Sequence, residues 1–348
     1  MERTPDSTSN RKREHLELCL TDEVSFKEKT SGFENYEFNH YAITEVEITR
    51  ILFATSFLKK EISYPFLISC MTGGTPGAEN INAQLALAAQ SLNIPLGVGS
   101  QRQALENNDY LNTYKIIRKN APSIPILGNI GAAQITRMDT FDSVKYLAEL
   151  VEADAMVVHV NPLQELIQKN GEPDFPDLLK KIKTLVKQIK IPVIVKEVGA
   201  GISEKAARKL LDCGVRGIDV AGAGGTSWAG VEILRNKDGK FKEFWDWGLP
   251  TSYCIRTVAQ LKNKYEFTLI GSGGINSAYD AAKALALGSD IVASARIILQ
   301  ELDSGGAEGV KKLVTNWFDT IRKIMFLTGS ASLKDFRKNK LVLKEKLH

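Results

Sequence analysis

The sequence predicts an α/β protein of the (β/α)8 TIM-barrel class with an N-terminal extension. Three observations carry that expectation. Eight short apolar runs, rich in β-branched residues, recur after residue 60, as strands buried on both faces require. Amphipathic stretches such as Ile81–Leu92 and Ala206–Asp212 separate them, so parallel βαβ units follow in series. Each run also ends in glycine, polar or charged residues, at the strand end where such a barrel keeps its active site. An open doubly wound sheet is the competing arrangement, but eight units in a row favour closure.

The expected strands are Pro65–Cys70, Pro95–Gly99, Ile124–Leu127, Ala155–Val160, Pro192–Val195, Gly217–Val220, Thr268–Ile270 and Ile291–Ala293. Residues 1–10, with Pro5, Ser7, Thr8, Ser9 and Asn10, have nothing to bury and read as a disordered tail. Residues 11–60 form an extension expected to close over the barrel mouth, and 61–348 the barrel itself. The interval Thr226–Gly248 breaks the rhythm. It is too long for a bare loop, so it should carry function or act as a mobile lid.

Composition narrows the function. Of 348 residues, 43% are hydrophobic, enough for a large core. The 45 basic and 41 acidic residues leave a net charge of only +4, too small and dispersed for a nucleic-acid protein. No apolar run approaches a membrane span, and the charged stretch Met1–Glu14 leads into no secretory h-region. Cys19, Cys70, Cys213 and Cys254 are scattered, without the spacing of a zinc site or a disulfide framework. A cytoplasmic enzyme for a small molecule is the expectation.

The strand ends hold the chemistry. Strand 7 leads into Gly271-Ser272-Gly273-Gly274 and strand 8 into Ala295-Arg296, the usual phosphate site of this fold. Glycines let backbone N–H groups approach a phosphate, and Asn276-Ser277 can cap the following helix. Read singly, such glycines only make turns; together they point to phosphate. Lys196 ends strand 5 and is either a Schiff-base nucleophile or a fixed cation. Beside it, Glu197 should face the other way. Strand 4 ends in His159, Asn161, Gln164 and Glu165. The i, i+2 spacing of His159 and Asn161 puts both on one face. Alone, His159 reads as a core histidine and Glu165 as a first-turn carboxylate; the cluster of four is harder to explain so. The run Arg11-Lys12-Arg13-Glu14-His15 alone reads as a solvated face, yet folded over the mouth it would offer charge-assisted bonds to an anion.

In this order, RKREH, MTGG, VGSQR, HVNPLQE, VIVKEVG, AGGTSW, WGLPT and GSGGI resemble the type 2 isopentenyl-diphosphate isomerases, with the likeness running from Arg11 to about Lys344. That resemblance implies an FMN-dependent barrel that interconverts isopentenyl and dimethylallyl diphosphate in isoprenoid biosynthesis. It implies FMN contacts from Met71, Thr72, Gly73, Ser100, Asn129, Lys196, Thr226, Gly273, Gly274, Ala295 and Arg296. Diphosphate contacts fall to Arg11, Lys12, Ser100, Gln101 and Arg102. Gln164, His159, Asn161 and Lys196 form the catalytic set, with Gln164 also facing substrate, and Glu165 is the Mg2+ ligand. NADPH is the implied reductant, although the reaction has no net redox change, and a tetramer or octamer the implied assembly. Only His159 of the four histidines ends a strand, so the reduced flavin is the expected acid/base. Cys70 stands where the family pattern suggests a smaller residue such as alanine.

Two other enzymes and a binding protein compete. An FMN-dependent α-hydroxy-acid oxidase or dehydrogenase needs a histidine base, and the stretch after strand 7 has none. An inosinate-type dehydrogenase needs a cysteine after strand 6, also missing there. A non-catalytic flavin-binding protein would hold FMN without turnover.

Overall fold

The computed structural model describes residues 8–338 and 341–347. Eight strands close a barrel: β1 (Phe66–Ile68), β2 (Leu96–Gly97), β3 (Ile126–Gly131), β4 (Ala155–Val160), β5 (Val193–Glu197), β6 (Gly217–Asp219), β7 (Thr268–Gly271) and β8 (Ile291–Ser294). Every neighbouring pair is parallel, and β8 returns to β1 through Val292, Ala293 and Ser294 opposite Phe66, Leu67 and Ile68. All eight expected runs are strands. The largest shift is in β3, which starts two residues later than expected and continues through Gly128–Gly131 because these residues stay in register with Met156–His159 of β4. Turn-forming composition is overridden there by the ladder.

Strand alternation separates two cores. Leu67, Leu127, Ala155, Val157, Ile194, Ile270, Ile291 and Ala293 pack together on the barrel axis. Their neighbours Phe66, Ile68, Ile126, Met156, Val158, Val193, Val195 and Val292 face the helices. With a side-chain period of two, the next inward positions are Asn129 on β3, His159 on β4, Lys196 on β5, Asp219 on β6 and Ser272 after β7. The floor of the barrel mouth is thus the layer above the axial apolar core.

The extension is split between the two ends of the barrel, which corrects the expectation that residues 11–60 lie over the mouth as a whole. The hairpin Thr55–Phe57 with Lys60–Ile62 plugs the bottom, where Phe57 and Ile62, both buried, complete the axial core. Its alternating apolar residues need a dry surface, and the barrel floor supplies one. At the mouth, by contrast, the helix Thr8–Cys19 and the strap after it touch the strand-end loops. Thr8, Ser9 and Asn10 belong to that helix rather than to a tail, and Thr75 Oγ1 donates to the Ser9 carbonyl at 3.0 Å; residues 1–7 of the expected tail lie outside the described residues.

The interval Thr226–Gly248 is packed structure. It contains the helix Trp228–Asn236, capped by Ser227 Oγ accepting from Gly230 N at 3.0 Å. The Trp245 ring lies so close that a Cβ on Gly230 would stand 2.7 Å from it. Two consecutive helices spanning Arg296–Leu327, broken by a kink at Gly306 (φ 60°), close the wall; among the described residues no helix is long and apolar enough to cross a membrane.

The bottom plug makes a stability prediction separate from the mouth. Phe57→Ala should cost about 3–5 kcal/mol, the range for emptying a buried phenylalanine site. Urea denaturation checks this; a loss below about 1 kcal/mol would mean that the hairpin is not part of the barrel core.

Candidate active site

Lys196 projects into the mouth from β5, as strand alternation requires. Its ammonium stands 3.5 Å from Asp219 Oδ2 and donates to the Glu197 carbonyl at 2.7 Å. Asp219 is buried and accepts from Ser272 Oγ at 2.5 Å. The counter-charge makes the arrangement that of a fixed cation, which favours this reading over the Schiff-base nucleophile. Glu197 faces outward as expected, its Oε2 accepting from the backbone N–H groups of Val198, Gly199 and Ala200, so it anchors the loop. Cys70 lies near the same lysine, but burial pushes its thiol up to about 12. It stays a neutral thiol.

Above Lys196 opens a cleft enclosing about 1110 Å3, open solvent at its mouth included. Met71, Thr72, Gly73, Lys196, Thr226, Gly273, Gly274, Ala295 and Arg296 all line it. Two of its loops meet at backbone contact. Gly273 has φ 97°, and a Cβ there would stand 2.1 Å from the Gly222 carbonyl oxygen, so only glycine builds this cradle. Thr72 Oγ1 is buried and lacks a hydrogen-bond partner among the described residues, an orphan that a bound group would satisfy. Lys12, His15, Leu16 and Cys19 of the N-terminal helix roof the cleft.

Ser100 and Asn129 do not line that cleft. The Ser100 carbonyl accepts from Lys12 Nζ at 2.6 Å and from the Tyr114 hydroxyl at 3.0 Å. Asn129 Oδ1 lies 2.9 Å from His159 Nδ1. Gln101 departs furthest from expectation. Its side chain is fully buried and tied to Asn129 N and the Leu147 carbonyl, so in this structure it fastens β3 to the helix layer. Gln101 lies in the turn after β2, and its bonds to β3 and to the helix layer set its direction.

Beside the cleft lies a charged chamber. Lys12 Nζ also donates to the Gly73 carbonyl at 2.5 Å, so this lysine bridges the loops after β1 and β2. Burial, reinforced by Arg11 and Arg102, lowers its pKa to about 7. Arg11 is lowered too, by burial and by Arg102. Three cations are thus crowded at one edge. Arg102 donates through Nε to Glu106 at 3.0 Å and through its two terminal nitrogens to Glu172 at 3.3 and 3.4 Å.

The strand-4 cluster forms the other wall. Asn161 Nδ2 donates to Gln164 Oε1 at 3.1 Å and to Glu165 Oε1 at 3.0 Å. Asn161 Oδ1 is buried without a partner among the described residues. Gln164 Nε2 donates to Glu232 Oε1 at 2.9 Å, and His15 Nε2 lies 2.9 Å from the same oxygen. Arg235 donates to Glu232 Oε2 at 2.7 Å. Burial alone would raise the Glu232 pKa, but its bond to His15, its bond to Gln164 and the Arg235 charge hold it down to about 2. Burial, with Lys196 and Lys12, lowers His159 to about 4, so its imidazole is neutral near pH 7. Among the described residues no group of three His, Cys, Asp or Glu could hold a metal by itself.

Glu232, Asp219 and Arg235 were not singled out from the sequence. A signal existed: a carboxylate inside an apolar run, GIDVA for Asp219 and GVEIL for Glu232, needs a buried partner. Which partner it finds is tertiary information.

Comparison with known proteins gives the family and the fold. Residues 134–343 match the FMN-dependent dehydrogenase family. The isopentenyl-diphosphate delta-isomerase of Pelodictyon phaeoclathratiforme is 42% identical over 97% of this chain and 98% of its own length. That of Methanothermobacter thermautotrophicus is 42% identical over 96% and 93%. Among solved structures, a mutant flavocytochrome b2 with pyruvate bound superposes with a TM-score of 0.69 at 18% identity, covering 96% of this chain and 83% of its own. A mandelate oxidase mutant with an FMN adduct gives 0.65 at 16%, covering 93% of each. Those two share the fold. Matched almost end to end at 42% identity, the chain belongs to the isopentenyl-diphosphate delta-isomerases, built on the barrel of the FMN-dependent dehydrogenases.

Proposed function

We propose that this chain interconverts isopentenyl and dimethylallyl diphosphate, with FMN in the cleft, NADPH as its reductant and Mg2+ at Glu165. The observation that carries the reading is Lys12. It stands where the glycine-cradled cleft meets the chamber in which Arg11 and Arg102 are crowded beside it. Like charges held together in a buried place are costly unless an anion neutralises them. The cytoplasm and a tetrameric or octameric assembly are the setting that the family resemblance implies.

The residues present fit FMN. Thr72 offers a buried hydroxyl with no hydrogen-bond partner among the described residues, and the Gly273-Gly274 cradle with Arg296 suits its phosphate. Lys196, a cation lining the cleft, would stabilise an anionic reduced ring. When bound and reduced, FMN supplies the acid/base that adds a proton at one end of the allyl unit and removes one from the other. The chain's own residues position and charge-match the substrate. Gln164, held by Asn161 and Glu232, presents a fixed amide to the hydrocarbon end. Neutral His159, oriented by Asn129, contributes hydrogen bonding without adding charge. Glu165 suits Mg2+, which takes one or two carboxylates and completes its shell with water and phosphate oxygens. Asn161 Oδ1, without a partner among the described residues, belongs to the residue that bonds Glu165. The hydroxy-acid oxidase reading lacks a histidine after β7 and rests on fold likeness alone.

Anaerobic incubation with isopentenyl diphosphate, FMN, NADPH and Mg2+ should yield dimethylallyl diphosphate. Flavin reduction by lactate or glycolate, with no isomer formed, would favour the oxidase instead. Glu165→Ala should flatten the Mg2+ dependence of turnover, and an unchanged metal titration would remove Glu165 from the site. Lys12→Met should raise KM about 10-fold or more, the loss of one charge-assisted contact. With its pKa near 7 before binding, Lys12 takes up a proton as the anion binds above pH 7. Affinity should therefore fall as pH rises past about 7, and Lys12→Met should lose that dependence. A variant that kept the wild-type pH profile would assign the proton elsewhere.

A further inference from the structure

After the short helix Pro162–Ile167 the chain folds back on itself. Gly171 permits this, since a Cβ there would stand 2.0 Å from the Glu165 carbonyl oxygen and 3.0 Å from that of Gln168. The turn delivers Glu172, which bonds in two directions. Its backbone N–H donates to Glu165 Oε2 at 2.8 Å. Its carboxylate accepts from Gln134 Nε2 at 3.0 Å, from Arg137 at 2.5 Å and from both terminal nitrogens of Arg102 at 3.3 and 3.4 Å. Glu106 grips the Nε edge of the same guanidinium.

Resting on the reading of this chamber as a diphosphate site, we propose that Glu172 is a positioning residue. It holds the Arg102 fork and the Glu165 carboxylate at a set separation, so that a cation-bound diphosphate meets both at once. An arginine fixed before binding loses less rotamer freedom when the anion arrives. Without the Glu172 carboxylate, repulsion from Arg11 and Lys12 would drive Arg102 toward solvent, while Glu165 would keep its bonds from Asn161 and from the backbone N–H at position 172, so the set separation between the two would be lost on the Arg102 side. Arg137 lies on the outer side, its side chain 54% exposed, and offsets the Glu172 charge. The carboxylate can therefore stand at an anion site without repelling the ligand.

The test compares wild type, Glu172→Gln and Glu172→Asp as full chains supplied with FMN. Calorimetry reads the binding of inorganic pyrophosphate in Mg2+, kinetics give KM and kcat separately, and absorbance follows FMN uptake. Glu172→Gln should raise the pyrophosphate Kd and KM about 10-fold, with FMN uptake unchanged and kcat within about 3-fold of wild type. The aspartate variant, which keeps the charge on a shorter stem, should fall between, and it carries the comparison if the glutamine variant is unstable. Pyrophosphate binding as tight as wild type or tighter would overturn the proposal, since Glu172 would then be an idle ion pair or a competitor. Failure of wild type itself to bind pyrophosphate would overturn the chamber reading as well.

Discussion

In a closed parallel barrel the backbone ladder leaves each strand one choice, which alternate side chains face the axis. Here that choice places Leu127, Val157, Ile194 and Ile270 inside, and the same parity puts Asn129, His159, Lys196 and Ser272 one layer up. A register slip of one residue would exchange this polar floor for Gly128, Val158 and Val195. The site depends on the ladder because none of its central side chains is placed by a flexible loop. Lys196 and Asp219 pair across β5 and β6 in register, so the cation and its counter-charge are as rigid as the strands.

Charge organises the layer above. Lys12, Arg11 and Arg102 are gathered on one side, while Glu232, Glu165 and Glu172 sit where each accepts more than one donor. Glu232 is fully buried, and its partners offset the desolvation. The result is a chamber in which each carboxylate is held by more than one protein donor, Arg102 is bound by Glu106 and Glu172, and Lys12 is held by two backbone carbonyls. Their separate roles follow from location: Lys12 sits between cleft and chamber, Arg102 on the rim.

The N-terminal segment turns an open barrel into a covered site. Ser25 pairs with Thr226, and its hydroxyl accepts from Arg296 at 2.8 Å. Ser227 N donates to the Val24 carbonyl, and Trp245 Nε1 to that of Ser25. One strap is therefore stitched both to Arg296 at the cleft and to the helix that carries Glu232. Through these bonds the two halves of the site share a single roof.

Local pattern alone determined the eight strands, their mouth ends and the glycine cradle, because a strand buried on both faces and a loop at backbone contact each demand particular residue types. His159, Asn161, Gln164, Glu165 and Lys196 were legible for the same reason, as polar groups where an apolar run stops. Partners were not legible. Gln101 and Arg102 are adjacent in sequence, yet one serves the helix layer and the other the rim. Phe57 and Ile62 plug the far end although their segment precedes the mouth's first strand. Glu232 lies inside an apolar helix run, and only packing brings His15, Gln164 and Arg235 to it. Strand parity and composition are properties of neighbours in the chain, whereas a buried charge is compensated by groups distant in sequence, so only the tertiary structure decides its role.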